Sequence, residues 1–481
     1  MDLAQQGDFD MTYVLPVSVD PTVFRAYDIR GIAEEVLTES VYYVIGISLG
    51  KIMRESKEKT VVIGRDGRLS SKKFAEALIA GVSQMGISVK DIGLVPTPLL
   101  YFSTHYLPYH SGLIVTGSHN PKNYNGLKMV LQGQVLSTES IQKVREIVDN
   151  ICKQRQLPEV TLPGVVEDES SIPDAYIDCV KQKIQLAKAL TVVIDAGNGA
   201  AGQVAVDLFN ALGCRVIALY CDIDGNFPNH HPNPGDPKNL VDLQQAVLDH
   251  SADIGLAFDG DADRLGVVDN LGEIIYPDRL LMLFAKDLLE SHPNAKVIYD
   301  VKCSRHLDTL IRSWGGQPIM AKTGHSLIRR RMIMESAMLA GEISGHIFFV
   351  DNWFSFDDGL YAGCKLLDIL AKKPVSSAEL FSEYTDDVTT EELLQPVVES
   401  EKFDWVKRLI GAAENQDNLS ASIIKIDGLR LEFDDGWGLV RASNTTPCLT
   451  LRFAGIDDAA KQRVRNVFAS LFNTVGLPLT V

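Results

Sequence analysis

Three aspartates at alternate positions, Asp259, Asp261 and Asp263, stand in Phe258-Asp-Gly-Asp-Ala-Asp-Arg264 with only small residues between them. Carboxylates converging without a ligand repel one another. Hard oxygen donors at i, i+2 and i+4 suit Mg²⁺, which keeps positions for water or phosphate oxygen. An EF-hand is the first alternative to exclude. Its sixth position requires Gly and its twelfth Glu, whereas counting from Asp259 gives Arg264 and Asn270, with flanks that read as strands. The plainer alternative is an acidic turn in a solvated loop. Arg264 weighs against it, because a cation beside a carboxylate-bound metal would hold a phosphoryl group on that metal.

Leu113-Ile-Val115 reads as a strand emptying into Thr116-Gly-Ser-His-Asn-Pro121, where Gly117 and Asn120 permit unusual backbone angles. Ser118 then projects from a strand end; for an isolated serine in such a loop, a helix N-cap is the competing reading. The adjacent His119 suggests a serine hydrolase, but the chain has no Gly-x-Ser-x-Gly elbow. Gly341-Glu-Ile-Ser-Gly-His346 presents a carboxylate, a hydroxyl and an imidazole, a set able to bind sugar hydroxyls or to serve as a polar connector. Arg441-Ala-Ser-Asn-Thr-Thr-Pro447 gathers a guanidinium, three hydroxyls and a side-chain amide. That inventory matches a phosphate cradle, or a Ser/Thr-rich turn before the strand from Leu449 to Phe453. Gly197-Asn-Gly-Ala-Ala-Gly202, with Asp222 some 20 residues on, formally satisfies the dinucleotide fingerprint. We read its small residues as allowing a helix to pack closely on its sheet, with a nicotinamide dehydrogenase as a remote rival.

The elements that must position these residues repeat. Three stretches run from an apolar β-branched segment through a helical one to a second apolar segment. The first joins Thr60–Gly64, a helix over Ser71–Gln84, and Gly86–Gly93. The second pairs Val192–Asp195 with Arg215–Tyr220, and the third pairs Val297–Tyr299 with Pro318–Met320. Such βαβ units imply parallel sheets with functional loops at the carboxyl ends of the strands. Beyond about Thr385 the pattern turns hairpin-like, with Ala421–Ile426 and Leu429–Phe433 as strands and a helix over Asp457–Phe472, predicting a separate α+β domain. Linkers are expected near Leu162–Gly164, Gly272 and Lys373–Pro374.

At 481 residues the chain exceeds one hydrophobic core and predicts three or four domains. A 46% hydrophobic and 23% charged composition is that of a globular protein. The first residues lack the basic and apolar regions of a signal peptide, and no apolar run approaches a membrane span. Seven scattered cysteines without a Cys-x-x-Cys pair suit a reducing compartment. A cytoplasmic protein is expected. The net charge of −17, with no basic tract, predicts neither nucleic acid nor membrane as partner.

Taken in order, the loops of Ser118, Asp259, Glu342 and Arg441 resemble the four signatures of the α-D-phosphohexomutase superfamily, across essentially the whole chain. Phe24-Arg-Ala-Tyr-Asp-Ile-Arg-Gly31, Lys322-Thr-Gly-His-Ser-Leu-Ile328 and Arg441–Pro447 are most similar to its bacterial phosphomannomutase/phosphoglucomutase branch. The resemblance implies three similar α/β domains with mixed, largely parallel sheets and a C-terminal α+β domain around a central active-site cleft. Applied to this chain, the domains are 1–165 with the phosphoserine loop, 166–272 with the metal loop, 273–385 with the sugar loop, and 386–481 with the phosphate loop.

It further implies a phosphorylated Ser118, Mg²⁺ held by Asp259, Asp261, Asp263 and the Ser118 phosphate, and Arg264 beside them. Glu342 and Ser344 are expected on sugar hydroxyls, and Arg441, Ser443, Asn444 and Thr445 on the substrate's distal phosphate. Tyr27, Arg30, Lys128, Lys302, His325 and His346 match further positions near the family's active site. The expected reaction interconverts hexose 1-phosphate and 6-phosphate, of mannose or glucose, through a 1,6-bisphosphate, with glucose 1,6-bisphosphate as activator. His346 or Lys128 would be the general base, and imidazole titrating near neutrality favours His346. A phosphoglucosamine mutase and an inactive sugar-phosphate-binding protein are the rivals. A monomer or weak homo-oligomer is expected.

Overall fold

Helices covering both faces of a parallel sheet make its inner strands read as unbroken apolar runs. Val61–Gly64, inside the strand Thr60–Arg65, is such a run. In the computed structural model, which describes residues 13–26, 28–158, 162–384, 387–416, 419–443 and 446–481, it lies inside the first sheet. That domain runs β1 (Ile29–Ile32), α1 (Glu39–Glu55), β2 (Thr60–Arg65), α2 (Ser71–Gln84), β3 (Ser88–Leu94), α3 (Thr97–Tyr106), β4 (Gly112–Val115), β5 (Tyr124–Leu131), β6 (Gln134–Val135), α4 (Thr138–Gln154) and β7 (Val166–Asp168). The sheet order is β1-β5-β4-β2-β3-β7, with β6 beside β5. Strands β4, β2, β3 and β7 are parallel, while β5 is antiparallel to both β4 and β1. Helices α1 and α2 pack where only glycine fits. A Cβ on Gly46 would stand 2.5 Å from the Leu78 carbonyl oxygen, and one on Gly81 2.2 Å from that of Tyr43.

The second segment comprises α5 (Ile172–Lys183), β8 (Thr191–Asp195), α6 (Gly202–Ala211), β9 (Arg215–Leu219), α7 (Val241–Asp249), β10 (Ile254–Phe258), β11 (Leu265–Asp269) and β12 (Ile274–Ile275), with sheet order β12-β11-β10-β8-β9. Here the fingerprint-like glycines are accounted for by packing, since a Cβ on Gly202 would lie 1.9 Å from the Cys221 carbonyl oxygen and one on Gly199 3.0 Å from the Gly260 backbone.

The third segment holds α8 (Pro277–Ser291), β13 (Lys296–Asp300), α9 (His306–Ser313), β14 (Gln317–Ala321), α10 (His325–Glu335), β15 (Leu339–Gly341), β16 (Ile347–Phe349), α11 (Gly359–Lys372) and α12 (Ser377–Ser382). Its sheet, β14-β13-β15-β16, is parallel except for β16. Lys373 caps α11, and Ser376 opens α12 with a capping box to Glu379. The Pro374 break expected as a linker is therefore a turn between two helices. The last segment, β17 (Val388–Thr389), β18 (Leu393–Pro396), α13 (Lys402–Glu414), β19 (Ser422–Ile424), β20 (Leu429–Phe433), β21 (Gly436–Ala442), β22 (Cys448–Gly455) and α14 (Asp458–Thr474), forms an antiparallel sheet β17-β22-β21-β20-β19 with β18 also on β22.

The chain divides into two compact units, one of Met1–Gln185, Val193–Leu243 and Ala257–Asp263, the other of Leu186–Val192, Gln244–Leu256 and Arg264–Val481. Among the described residues no helix is long and apolar enough to cross a membrane.

Candidate active site

In the first unit, β4 delivers the serine. Its backbone continues through Thr116 and Gly117 into Ser118, which takes the left-handed conformation at φ 47°. For a residue with a Cβ that conformation costs about 1–2 kcal/mol. The Ser118 N–H donates to Thr116 Oγ1 at 2.9 Å, and the Ser118 hydroxyl donates to Asp259 Oδ2 at 2.9 Å. The next element is the strand β5, so Ser118 caps no helix.

Asp259, Asp261 and Asp263 follow β10 in one fully buried turn, with carboxylate oxygens within 4.8 Å of one another. Asp261 Oδ2 accepts from Thr97 Oγ1 at 2.5 Å, Thr116 Oγ1 at 3.1 Å and Lys128 Nζ at 2.7 Å. Lys128, on β5, also donates to Asp263. Burial pushes the Asp261 carboxyl up, yet the Lys128 ammonium and the Thr97 hydroxyl outweigh it and hold it well below the usual carboxylate range. Arg30, on β1, donates to the Gly117 carbonyl at 3.1 Å and to the Asn120 side chain, and pairs with Asp28 at 2.5 Å. These residues fit a divalent cation on two grounds. Three carboxylates outnumber the Lys128 ammonium that contacts two of them, and among the described residues the buried Asp261 Oδ1 has no hydrogen-bond partner.

In the second unit, β15 and β16 form a hairpin whose turn carries Glu342, with Ser344 half-buried on it. Glu342 Oε1 accepts from the Gly324 N–H at 2.6 Å. His346 closes the turn. Arg264 Nε donates to His346 Nε2 at 3.1 Å, and a guanidinium cannot accept, so Nε2 carries a lone pair and the ring proton sits on Nδ1. That Nδ1 lies 3.0 Å from Asp357 Oδ2, to which His325 Nδ1 also comes within 3.2 Å, the two imidazoles stacking at 5.3 Å. Against burial, these two histidines hold the Asp357 carboxyl well below the usual range.

Arg441 is a strand residue of β21, not a loop residue. Its Nε pairs with Asp427 Oδ2 at 2.8 Å, and its buried Nη2 has no hydrogen-bond partner among the described residues. Asp427 Oδ2 also accepts from the Thr323 N–H at 3.2 Å, so Thr323–Gly324 ties the Glu342 turn to Arg441. Lys302 pairs with Glu392 at 2.9 Å; against burial, the Glu392 and Asp300 carboxylates raise the ammonium's pKa. Ser443 Oγ lies 2.8 Å from Thr446 Oγ1. Tyr27, Asn444 and Thr445 lie outside the described residues. Sequence reasoning missed Arg68, Thr97, Asp357, Asp427 and Glu392. Arg68 and Thr97 carried a signal, since they stand just beyond the carboxyl ends of the parallel strands β2 and β3, where such sheets place function.

Glu342 shows what its site demands. Burial, and next to it the Asp300 carboxylate, raise its pKa despite the lowering by His346, Gly324 N–H and His325. A carboxyl raised on folding is destabilising once charged: the cost is absent below the unfolded-state pKa of about 4.3 and complete once pH has risen through the folded value. Glu342→Gln is therefore expected to raise the melting temperature at pH 7, by roughly 2–4 °C per kcal/mol relieved, with the advantage fading as pH approaches 4. Equal melting curves for the two proteins at pH 7 would contradict this.

A strand-end serine bonded to a cluster of aspartates that could hold a metal ion, in a protein of repeated α/β domains, is an arrangement able to carry phosphoryl transfer. The chain matches the phosphoglucomutase/phosphomannomutase alpha/beta/alpha domain I over residues 21–155, domain II over 174–272, domain III over 276–387 and the C-terminal domain over 392–471. It is 47% identical to the phosphomannomutase/phosphoglucomutase of Pseudomonas syringae, over 94% of this chain and 96% of that one. It is 45% identical to a phosphoglucomutase of Neisseria gonorrhoeae, over 95% and 98%. A crystal structure of a phosphoglucomutase/phosphomannomutase family protein from Burkholderia thailandensis superposes with a TM-score of 0.88 at 42% identity, covering 96% of this chain and all of that one. The chain belongs to the phosphoglucomutase/phosphomannomutase family and is a hexose-phosphate mutase.

Proposed function

We propose that the protein interconverts the 1- and 6-phosphates of mannose and glucose through a phosphorylated Ser118 and a hexose 1,6-bisphosphate. The observation that carries this reading is Ser118 Oγ, buried and 2.9 Å from Asp259 within the aspartate cluster. Glucose 1,6-bisphosphate serves as activator by phosphorylating Ser118. Asp259, Asp261, Asp263 and the Ser118 oxygen would hold Mg²⁺, which when bound supplies positive charge against the phosphoserine and the transferring phosphoryl group.

The phosphoserine O–P bond breaks as a hexose hydroxyl forms its own bond to that phosphorus. The hydroxyl proton passes to the lone pair of His346 Nε2, freed as Arg264 turns from it to the phosphoryl oxygens, with Asp357 fixing the ring tautomer. The bisphosphate then turns over, Ser118 Oγ takes the other phosphoryl group, and the proton returns to the product oxygen. Lys128, Arg30 and Arg264 offset charge on the phosphoryl oxygens. Tyr27, Glu342, Ser344 and His325 serve the sugar; Lys302, Arg441, Ser443, Asn444 and Thr445 serve the distal phosphate. The enzyme works in the cytoplasm as a monomer or weak homo-oligomer. Glucosamine phosphates are disfavoured as substrates by the names of the relatives.

³¹P NMR with Mg²⁺, a trace of glucose 1,6-bisphosphate, and mannose 1-phosphate or glucose 1-phosphate tests the reading. Growth of 6-phosphate signals is expected in both tubes, and unchanged spectra in both would refute it. In the same assay Arg441→Lys, which loses the fork, is expected to raise KM roughly 10-fold to 100-fold, the scale of one charge-assisted hydrogen bond. An unchanged KM would remove Arg441 from the phosphate site.

A further inference from the structure

Ser118 holds a left-handed backbone in the middle of a loop, and the structure shows what holds it there. Arg68, buried in the loop after β2, spreads its guanidinium over three carbonyl oxygens of the serine loop and that of Tyr124 at the start of β5. Nη2 donates to Ser118 O at 2.6 Å and Asn120 O at 2.6 Å, and Nη1 donates to Pro121 O at 2.6 Å and Tyr124 O at 3.1 Å. Asp66 orients the clasp, with Oδ2 3.3 Å from Arg68 Nε and accepting the Gly117 N–H at 3.0 Å. Gly117 is the residue this approach requires, because a Cβ there would stand 2.3 Å from Arg68 Nε.

A second hook comes from the loop between β9 and α7. His231 Nε2 donates to the His119 carbonyl at 2.6 Å, and Phe227 lays its ring under the Arg68 guanidinium at 5.2 Å. Burial, with the Arg68 cation beside it, lowers the His231 pKa against the raising effect of the His119 carbonyl. Neither Arg68 nor His231 bonds the Ser118 hydroxyl; both act on the main chain that aims it.

We infer that Arg68, with His231 as a second hook, is a positioning residue that fixes the Ser118 backbone so that Oγ meets the aspartate cluster in both directions of transfer. The inference rests on the mutase reading above. Lysine at position 68 keeps the charge but cannot span four carbonyls. A nucleophile displaced by about 1 Å loses on the order of 10²-fold in rate, whereas substrate binding by other loops is untouched.

Arg68→Lys is therefore expected to lower kcat roughly 100-fold with KM within about threefold, to melt within a few degrees of wild type, and to broaden or shift the Ser118 phosphoserine ³¹P resonance. His231→Ala is expected to lower kcat about 3-fold to 10-fold, and His231→Gln, whose Nε2 reaches the same carbonyl, to restore most of it. If Arg68→Lys fails to fold, the His231 pair decides. Wild-type protein without turnover would refute the mutase reading. Wild-type turnover alongside unchanged kcat in Arg68→Lys and in His231→Ala, or a loss confined to KM, would overturn the clasp alone.

Discussion

Replacing Ser118 by Ala is expected to lower mutase turnover by roughly 10⁴-fold or more, the scale reached when an enzyme loses its nucleophile. Only Oγ is removed. The backbone features that shape the loop, the Ser118 N–H on Thr116 and the carbonyl on Arg68, survive in alanine. Asp259 loses one donor, so a stability change of about 1 kcal/mol is expected, too small to unfold the unit. The loss should therefore fall on chemistry, with hexose 1-phosphate still bound and no 6-phosphate appearing by ³¹P NMR. Intact-mass measurement supplies the second arm: wild-type protein treated with glucose 1,6-bisphosphate should gain one phosphoryl group, and Ser118→Ala none. Turnover above about 1% of wild type in the variant would mean that the phosphoryl group travels by another nucleophile.

Why Ser118 was visible in the sequence, and Arg68 was not, is a matter of range. The strand Leu113–Val115, the permissive Gly117 and the alternating aspartates are local patterns, and they predicted a strand-end serine and a carboxylate turn that the fold reproduces. The three βαβ stretches were legible for the same reason, since a period-2 apolar run and a helical run are read without knowing neighbours. Arg68 acts on carbonyls about 50 residues away. Its place after β2 marks a region where function gathers, but nothing near it in the chain distinguishes a clasp from a solvated cation. Asp357 and Asp358 make the point within one dipeptide. Asp358 caps α11 by accepting the Tyr361 N–H at 2.9 Å, while Asp357 faces two histidines. An acidic pair before a helix offers no local sign of which carboxylate turns inward. Arg441 was expected in a loop because its neighbours are turn formers, yet the seven-residue strand β21 extends through it and its pairing with β22 fixes its direction. The Lys373–Pro374 break failed as a linker because proline marks the end of a helix equally well inside a domain.

The same contrast between local pattern and tertiary demand governs the second large effect, the response to Mg²⁺. Asp261 is the aspartate most tightly built in. It accepts from two threonine hydroxyls and an ammonium on one oxygen, and the other, buried, has no hydrogen-bond partner among the described residues. An amide at this position would present an N–H₂ group to donors or to the cation itself. Asp261→Asn is therefore expected to weaken Mg²⁺ binding at least ~100-fold and to lower kcat on the order of 10³-fold, corresponding to several kcal/mol of charge stabilisation.

Thermal unfolding reads the binding without relying on activity. Mg²⁺ at 100 times its Kd should stabilise the wild-type unit by about 2.7 kcal/mol, at roughly 2–4 °C per kcal/mol for a segment of this size. The Asp261→Asn protein should show no rise over the same range, and EDTA should erase the wild-type shift. Lys128 sets the alternative outcome. Its ammonium already contacts both Asp261 and Asp263, so a wild-type melting curve indifferent to Mg²⁺ and EDTA would mean that protein cations, Lys128 among them, satisfy the cluster and that the aspartates hold an ammonium in place of a metal.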